Sequence, residues 1–135
     1  MAKSPHPHDP PCPCGAPLRY SLCCGRWHDG PQALLAPTAE ALMRSRYSAF
    51  VLDKLDYLLA TWHPDTRPCT LEPNPPGLKW LGLGVKQARQ QDDDHATVEF
   101  VARFRQDGRA SRLHEHSRFV RTEGRWYYVD GDMLD

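Results

Sequence analysis

Four of the five cysteines stand close together near the N-terminus, in the pairs Cys12-Pro13-Cys14 and Cys23-Cys24. A segment this rich in proline forms neither a long helix nor a large apolar core, so it needs another source of order. Disulfides are disfavoured in a reducing cytosol, where clustered thiols indicate a metal. Two close pairs joined by a short loop supply the tetrahedral sulfur set that Zn²⁺ prefers. The sequence therefore predicts a structural zinc knuckle with Cys12, Cys14, Cys23 and Cys24 as ligands.

The zinc interpretation leaves other uses of these thiols open. They include redox chemistry, buried free thiols and a strained disulfide between Cys23 and Cys24. A site with four protein ligands has no open coordination position, so the metal is expected to fold the chain and not to catalyse. Arg19 and Arg26 are expected to offset the thiolate charge through hydrogen bonds to sulfur. Three nearby histidines can replace one sulfur as a ligand: His6, His8 and His28.

Charge and hydropathy exclude two classes of protein. The 135 residues carry 17 basic and 17 acidic side chains, so the formal net charge at pH 7 is zero. This balance argues against a surface devoted to nucleic acid. No stretch approaches the roughly 18 apolar residues of a membrane span, and residues 1–15 lack the apolar core of a signal peptide. We therefore expect a cytoplasmic protein without a membrane partner.

Composition divides the chain into three predicted regions. Most of the thirteen prolines precede Thr38, and apolar residues become periodic after it. Residues 1–11 are predicted to be a disordered tail of proline and histidine, residues 12–30 the zinc knuckle, and residues 31–135 the main domain. A main domain of this length can bury one core.

Two helices are predicted at the start of the main domain. Thr38 is a good N-cap, and apolar residues follow it at helical spacing, interrupted by Arg46. Asp53 is predicted to cap a second helix. That helix ends at His63-Pro64 because the residue before proline avoids helical geometry.

Apolar and polar residues alternate from Lys79 onward, as they do in half-buried strands. Asp107-Gly108 and Glu123-Gly124 are two-residue hairpin signals. The pattern predicts an α+β fold in which two N-terminal helices pack on a curved antiparallel sheet of about four strands. The predicted register pairs Phe100 with Glu115, Val98 with Ser117, Phe119 with Tyr128 and Ser117 with Asp130.

Polar residues fall on the apolar face of this predicted sheet. Cross-strand partners share a face, so Glu115, Ser117 and Asp130 lie on its buried side. An unpaired carboxylate there is costly, so we expect donors such as Arg46, His63 or a ligand. The set is either a buried ion pair between helix and sheet or a binding pocket. No nucleophile paired with a base is seen, so no enzymatic reaction is assigned. The pocket candidates are Arg46, His63, Glu115, Ser117, Tyr128 and Asp130.

The opposite face of the predicted sheet carries arginines and histidines. His114 and His116 project from the same side, and Glu99 can reach His116, but a third zinc ligand is not evident. The face is either solvated or makes weak contact with RNA phosphates. Its residues are Thr97, Glu99, Arg103, Arg112, His114, His116 and Arg118.

Residues 12–25, CPCGAPLRYSLCCG, resemble the SEC-C zinc motif, which is named for the C-terminal tail of the SecA translocation ATPase. The similarity lies in the cysteine spacing, Gly15 and Tyr20, while Ala16-Pro17 stand where the motif has Ser-Gly. The rest of the chain is similar to the YchJ family of small bacterial proteins in the segments ALMRSRYSAFV, DYLLATWHP, EFVARF and GRWYYVDGD. The resemblance implies a knuckle fused to a domain similar to nuclear transport factor 2, an α+β cone.

The resemblance also implies a protein-binding role, because in the translocation ATPase the same knuckle contacts a chaperone and the ribosome. The first hypothesis is therefore a zinc-binding, protein-interaction accessory module associated with the ribosome or a chaperone. The alternative is small-molecule binding or catalysis in the cone cavity. In that case Glu115 or Asp130 is the general base, and Arg46 or His63 orients the substrate.

Overall fold

The computed structural model describes residues 9–134, so the predicted tail over residues 1–8, with His6 and His8, lies outside the described residues. The elements follow one another in the predicted α+β order, short helices first and the sheet last. A 3₁₀ turn over Tyr20–Leu22 and a one-turn helix belong to the knuckle. The helices are α1 (Gly25–His28), α2 (Ala39–Val51) and α3 (Leu55–Ala60), and the strands are β1 (Leu78–Gln90), β2 (His95–Gln106), β3 (Arg109–Thr122) and β4 (Arg125–Leu134).

The start of α2 is the one that the sequence predicts. Thr38 has extended backbone geometry, and its hydroxyl accepts a hydrogen bond from the Ala41 amide at 3.0 Å. This bond satisfies one of the free amides of the first turn. The predicted cap of α3 is wrong, because the N-cap is Lys54. Asp53 instead has a φ of +55°, and its carboxylate accepts from the backbone amide of Asn74.

The four strands form one antiparallel sheet in the order β1-β2-β3-β4. Both predicted hairpin turns are present, and their central residues Asp107-Gly108 and Glu123-Gly124 all have positive φ, as a two-residue hairpin of this twist requires. The first turn sets the predicted register between β2 and β3, with Phe100 opposite Glu115. We call the face that carries Phe100 and Glu115 the inner face and the opposite one the outer face.

A β-bulge changes the predicted register between β3 and β4. Phe119 lies opposite Tyr128 as predicted, but Arg118 lies opposite Asp130, so Val129 is an extra residue in β4. Ser117 consequently faces Gly131 and not Asp130. One added residue moves all later side chains to the other face of a strand. The predicted pairing of Ser117 with Asp130 is therefore wrong, and Asp130 belongs to the outer face.

The core lies between the inner face and the helices α2 and α3. Fully buried side chains there come from both layers, among them Leu42, Leu58, Val98 and Phe119. The chain after α3 also joins the sheet directly: the Tyr128 amide donates to the Thr61 carbonyl, and the His63 amide donates to the Tyr128 carbonyl, both at 2.8 Å. These bonds fix the end of α3 against the edge strand β4.

Within residues 9–134, no helix has the length and hydropathy needed to cross a bilayer.

Candidate metal centre and inner cavity

The four predicted cysteine ligands converge in the knuckle. Their sulfur atoms lie within 4.8 Å of one another, and all four side chains are buried. A tetrahedral site with Zn–S distances of about 2.3 Å has sulfur–sulfur edges of about 3.8 Å. Cys14 Sγ and Cys23 Sγ lie 3.6 Å apart. The donor set and its spacing therefore fit a tetrahedral metal ion that prefers thiolates.

The pKa shifts of three of these thiols reflect the same close packing of sulfur atoms. Hydrogen bonds with Cys12 and Cys14, together with burial, raise the pKa of the Cys24 thiol. Burial raises the pKa of Cys23 to about 12, whereas hydrogen bonds with Cys14 and Cys24 lower that of Cys12. Several thiolates cannot be held this close without a cation to compensate their charge. No disulfide links the five cysteines, all of which lie in the described part of the chain.

The knuckle packs directly on α2 of the main domain. Cys12 Sγ lies 3.6 Å from the hydroxyl of Ser48, and Arg44 donates to the Cys14 carbonyl. Leu83 from β1 also packs against the cysteines. Sulfur ligands are normally held by hydrogen bonds from groups outside the ligand set. Here the main domain supplies such a contact, through a serine that the sequence analysis did not identify.

His28 connects the two parts of the molecule and is not a ligand. Its Nε2 lies 2.7 Å from the Ser45 carbonyl in α2, and its Nδ1 lies 2.5 Å from the Tyr20 hydroxyl in the knuckle. Burial lowers the pKa of His28, which favours the neutral ring. Because both ring nitrogens are engaged, the expectation that His28 can replace a sulfur is wrong.

The predicted arginine contacts to sulfur are also wrong. Arg19 donates to the Asp9 carbonyl and Arg26 to the Cys23 carbonyl, each at 3.0 Å. Asp9 in turn accepts from the amide and hydroxyl of Ser21, and the Tyr20 backbone amide donates to the Pro10 carbonyl. Residues 9–11, predicted to be part of the tail, are therefore bonded to the knuckle.

A cavity of about 230 Å³ lies between α2 and the inner face, and we call it the inner cavity. The α2 residues that line the cavity have the spacing of one helix face, which is visible in the sequence. Apart from Tyr128, the aromatic residues on the opposite wall were not predicted to line it. Most of the lining is apolar, and Arg46 and Glu115 are its charged members. The lining residues are Met43, Arg46, Tyr47, Phe50, Trp62, Trp80, Phe100, Ala102, Leu113, Glu115 and Tyr128.

Glu115 points to the inside, as the strand register predicts. Its Oε2 accepts hydrogen bonds from Ser117 Oγ at 2.7 Å and from the Tyr128 hydroxyl at 2.9 Å. Burial and the neighbouring carboxylate raise the pKa of Tyr128, so the phenol keeps its proton and donates it to Glu115. Gly131 leaves room for this carboxylate, because a Cβ atom at residue 131 would overlap it.

Arg46 is 3 % exposed and enters the inner cavity from α2. Its Nη1 donates to the Leu58 carbonyl at 2.9 Å and to the Thr61 hydroxyl at 2.7 Å. The guanidinium lies 4.6 Å from the ring centre of Tyr128 and 5.1 Å from that of Trp62. Burial lowers the pKa of Arg46 to about 10, so the group stays charged at neutral pH. The end of α3 and two aromatic rings therefore hold this cation in place.

Two of the predicted pocket residues lie elsewhere. His63 and Asp130 share a separate groove beside the outer face of β4. His63 Nδ1 accepts from the Asp65 amide, and Asp130 pairs with Arg118 at 2.6 Å. Asp130 is there because of the bulge, and His63 because its backbone is bonded to β4. The structure thus brings together Arg46, Glu115, Ser117 and Tyr128, but neither His63 nor Asp130.

The outer face carries the predicted histidines and arginines. Glu99 lies opposite His116 in the register, but its carboxylate contacts the diagonal neighbour His114 at 2.7 Å. Arg118 binds both Asp130 and Asp132. Glu99 and Arg118 therefore have charged or polar partners within the chain, and contact with RNA stays a prediction.

Comparison with known proteins identifies a family that has this fold and this cysteine cluster. A family model described as the middle domain of YchJ, similar to nuclear transport factor 2 (NTF2-like), matches residues 38–131. A UPF0225 protein from Bordetella bronchiseptica is 70% identical over 129 residues, which cover 95% of this chain and 97% of that protein. A UPF0225 protein from Methylibium petroleiphilum is 64% identical over 123 residues, covering 91% and 88%.

Two solved structures share the whole architecture. A SEC-C motif containing protein from Rhodopseudomonas palustris has a TM-score of 0.78 and 34% identity, over 92% of this chain and 98% of that chain. A SEC-C motif containing protein from Psychrobacter arcticus has a TM-score of 0.74 and 34% identity, over 92% and 82%. The chain therefore belongs to the YchJ family, with a SEC-C cysteine motif followed by an NTF2-like domain.

Proposed function

We propose that this protein is a zinc-stabilised binding protein that takes a small molecule in its inner cavity. The cavity itself is the observation that carries the proposal: apolar walls enclose about 230 Å³, and the charged groups of Arg46 and Glu115 line it. Small-molecule sites typically combine apolar walls with a few convergent polar groups. The cluster of free thiols needs a reducing compartment, which supports the cytoplasm as the location.

Zinc is the metal that we assign to the cysteine cluster. Four buried sulfur atoms at tetrahedral spacing suit Zn²⁺, and they leave no position open for a substrate. The metal would be held by Cys12, Cys14, Cys23 and Cys24 and would supply folding energy. Its role in the proposal is to fix the knuckle against α2.

Metal analysis of two serine variants tests the zinc assignment. We expect the wild-type protein to retain zinc after dialysis and Cys14→Ser to lose it, because three thiolates bind the ion more weakly. Cys69→Ser is the matched control, since Cys69 is exposed and outside the cluster. Elemental analysis of the purified proteins gives the metal and its ratio to chain. A wild-type protein that holds a different metal, or none, overturns the assignment.

A thermal-shift screen with a blocked cavity tests the ligand-binding proposal. A compound at 100 times its dissociation constant stabilises a protein by about 2.7 kcal/mol, which raises the melting temperature measurably. Ala102→Leu and Leu113→Phe place extra atoms in the cavity, and we expect both variants to lose the shifts seen in the wild type. If no compound of a broad metabolite library shifts the wild type more than the blocked variants, the proposal fails.

A second candidate function is protein binding by the knuckle, as the sequence analysis expects. The observation that favours it is the exposure of Leu18 and Leu22, at 47 % and 59 %, on a knuckle whose cysteines are buried. Exposed apolar side chains beside a rigid site are suited to contact a partner. The ribosome and chaperones remain the proposed partners for this surface.

Affinity capture from a lysate tests this second function without disturbing the metal. Leu18→Ser combined with Leu22→Ser should reduce recovery of a ribosomal or chaperone partner, while zinc content stays unchanged. Leu35→Ser is the matched control, because Leu35 is similarly exposed at 46 % but lies outside the knuckle. Equal recovery by the double variant and the control excludes the knuckle surface as the contact.

A further inference from the structure

Arg46 and Glu115 line the same cavity but are held apart. Arg46 is fixed by the Leu58 carbonyl and the Thr61 hydroxyl, whereas Glu115 is fixed by Ser117 and Tyr128. Within residues 9–134, neither charge belongs to an ion pair shorter than 4.0 Å. The ring of Tyr128 lies under the guanidinium, and its hydroxyl donates to the carboxylate. The protein thus keeps two opposite charges at separate places in one apolar space.

Both charged groups retain hydrogen-bonding capacity. All hydrogen bonds of Arg46 in the described part of the chain use Nη1, so the N–H groups of Nε and Nη2 are left for another acceptor. Among the described residues, both hydrogen bonds to Glu115 end on Oε2, so Oε1 is left for another donor. Charged groups in apolar surroundings are costly unless such capacity is used. A bound molecule can use it at both sites.

The two charges together disfavour a charged ligand. A cation drawn to Glu115 also meets Arg46, and an anion drawn to Arg46 also meets Glu115. In surroundings of low polarity each repulsion is strong, because charges there are weakly screened. A neutral molecule with an acceptor toward Arg46 and a donor toward Glu115 is attracted by both charges.

The walls of the cavity determine the shape and size of this molecule. Six of the lining residues are aromatic, and aromatic rings prefer stacked or edge-on contact with other flat rings. A volume of about 230 Å³ corresponds to roughly eight water molecules, or about ten bonded non-hydrogen atoms. A flat ring system of one or two small rings fits these limits.

We infer that the ligand of the inner cavity is a neutral, flat heteroaromatic molecule that carries an N–H donor for Glu115 and a carbonyl acceptor for Arg46, as a cyclic amide does. This inference rests on the proposed ligand-binding function and names the chemical class of its ligand.

Four related ring compounds test the inference by isothermal titration calorimetry on the zinc-loaded protein. 2-Quinolone has both the donor and the acceptor, 1-methyl-2-quinolone keeps only the acceptor, naphthalene has neither, and quinoline-2-carboxylate is an anion. We expect 2-quinolone to bind about tenfold more tightly than its methylated form, since a hydrogen bond to a charged group has about that effect on affinity. The anion is expected to bind more weakly than 2-quinolone.

A Glu115→Gln variant tests whether Glu115 accepts a hydrogen bond from the N–H group of the ligand. The amide oxygen can accept the bonds from Ser117 and Tyr128, which leaves its NH₂ group in place of Oε1. A donor then faces the ligand N–H, so we expect the preference to reverse in favour of 1-methyl-2-quinolone. A purely structural role of Glu115 does not produce a reversal. Glu99→Gln on the outer face is the control and should keep the wild-type preference.

The outcomes separate this inference from the proposed function. If none of the four compounds binds, and the metabolite screen also gives no cavity-dependent shift, the ligand-binding function itself fails. If the compounds bind with similar affinity, if the anion binds most tightly, or if none of them binds although the screen gives a cavity-dependent shift, the cavity binds ligands but the inferred class is wrong. The wild-type series alone decides this, so the inference does not depend on the folding of Glu115→Gln.

Discussion

The Glu115 carboxylate fits into the inner face because the residue opposite Ser117 has no side chain. Gly131 occupies that place, and a Cβ there would overlap Glu115 Oε2. Its φ is not in the left-handed region, so the requirement for glycine is one of space and not of backbone conformation. The position of the Glu115 carboxylate therefore depends on the absence of a side chain at Gly131.

Gly131→Ala tests this pair. The added methyl group should displace the carboxylate from Ser117 and Tyr128 and lower the affinity for 2-quinolone about tenfold, since Oε1 no longer faces the cavity. We expect a loss of about 1 kcal/mol in the free energy of unfolding, because the carboxylate can move toward water. Calorimetry and urea titration measure the two effects. Gly82→Ala is the control, since nothing lies within 4 Å of a Cβ at residue 82; equal affinities in both variants contradict the prediction.

The bulge in strand β4 determines which acidic side chains are buried. Val129 is the extra residue, and it sends Asp130 to the outer face, where Arg118 pairs with it. In the unbulged register Asp130 would share the inner face with Glu115. Two carboxylates at that place repel each other.

Deletion of Val129 should remove the bulge and leave Asp130 opposite Arg118, because the two strands then match residue for residue. We expect a loss of only about 1 kcal/mol in the free energy of unfolding, because the Thr66 hydroxyl loses the Val129 carbonyl as its acceptor while Asp130 keeps Arg118. Val129→Ala keeps the number of residues and is the matched control. Urea unfolding monitored by circular dichroism compares the two, and a deletion variant that loses about 3 kcal/mol or more would show that Asp130 does not keep its place opposite Arg118.

The same element shows how far the sequence predicts the structure. Both hairpin turns, the β2–β3 register and the inward Glu115 follow from alternation and from Asp-Gly and Glu-Gly turn signals, which are local. The bulge is not local, because it depends on the fit of Asp130 and Gly131 in β4 to Arg118 and Glu115 in β3. The cysteine ligands were predicted from spacing, whereas Ser48 and Trp62 were not, because their contacts arise only when helices and sheet pack together.

At the scale of the whole molecule, the knuckle is part of the main fold. His28 links Tyr20 to α2, and Cys12 contacts Ser48 in the same helix. The helix that receives these contacts also supplies Arg46 and the other α2 residues of the inner cavity. We therefore expect a substitution at the cysteines to affect the inner cavity, because the knuckle and the cavity both contact α2.

Removal of the metal should lower the stability of the main domain as well as that of the knuckle. We expect a chelator to reduce the melting temperature by at least about 5 °C, since each kcal/mol shifts a domain of this size by roughly 3–5 °C. Hydrogen exchange should rise at the amides of residues 45–49 and remain low at the centre of β2. Unchanged exchange in α2 after complete metal removal would show that the knuckle is energetically separate.

The backbone bonds between residues 61–63 and Tyr128 have a consequence beyond the site. β4 is an edge strand, and an open edge can pair with a strand of another molecule. Thr61 and His63 occupy the hydrogen-bonding groups of Tyr128, so this stretch cannot serve as a template for polymerisation. The opposite edge, β1, carries the cations Lys79, Lys86 and Arg89, whose mutual repulsion has the same protective effect. The segment that contains Thr61, whose hydroxyl accepts a hydrogen bond from Arg46, thus also protects the sheet from aggregation.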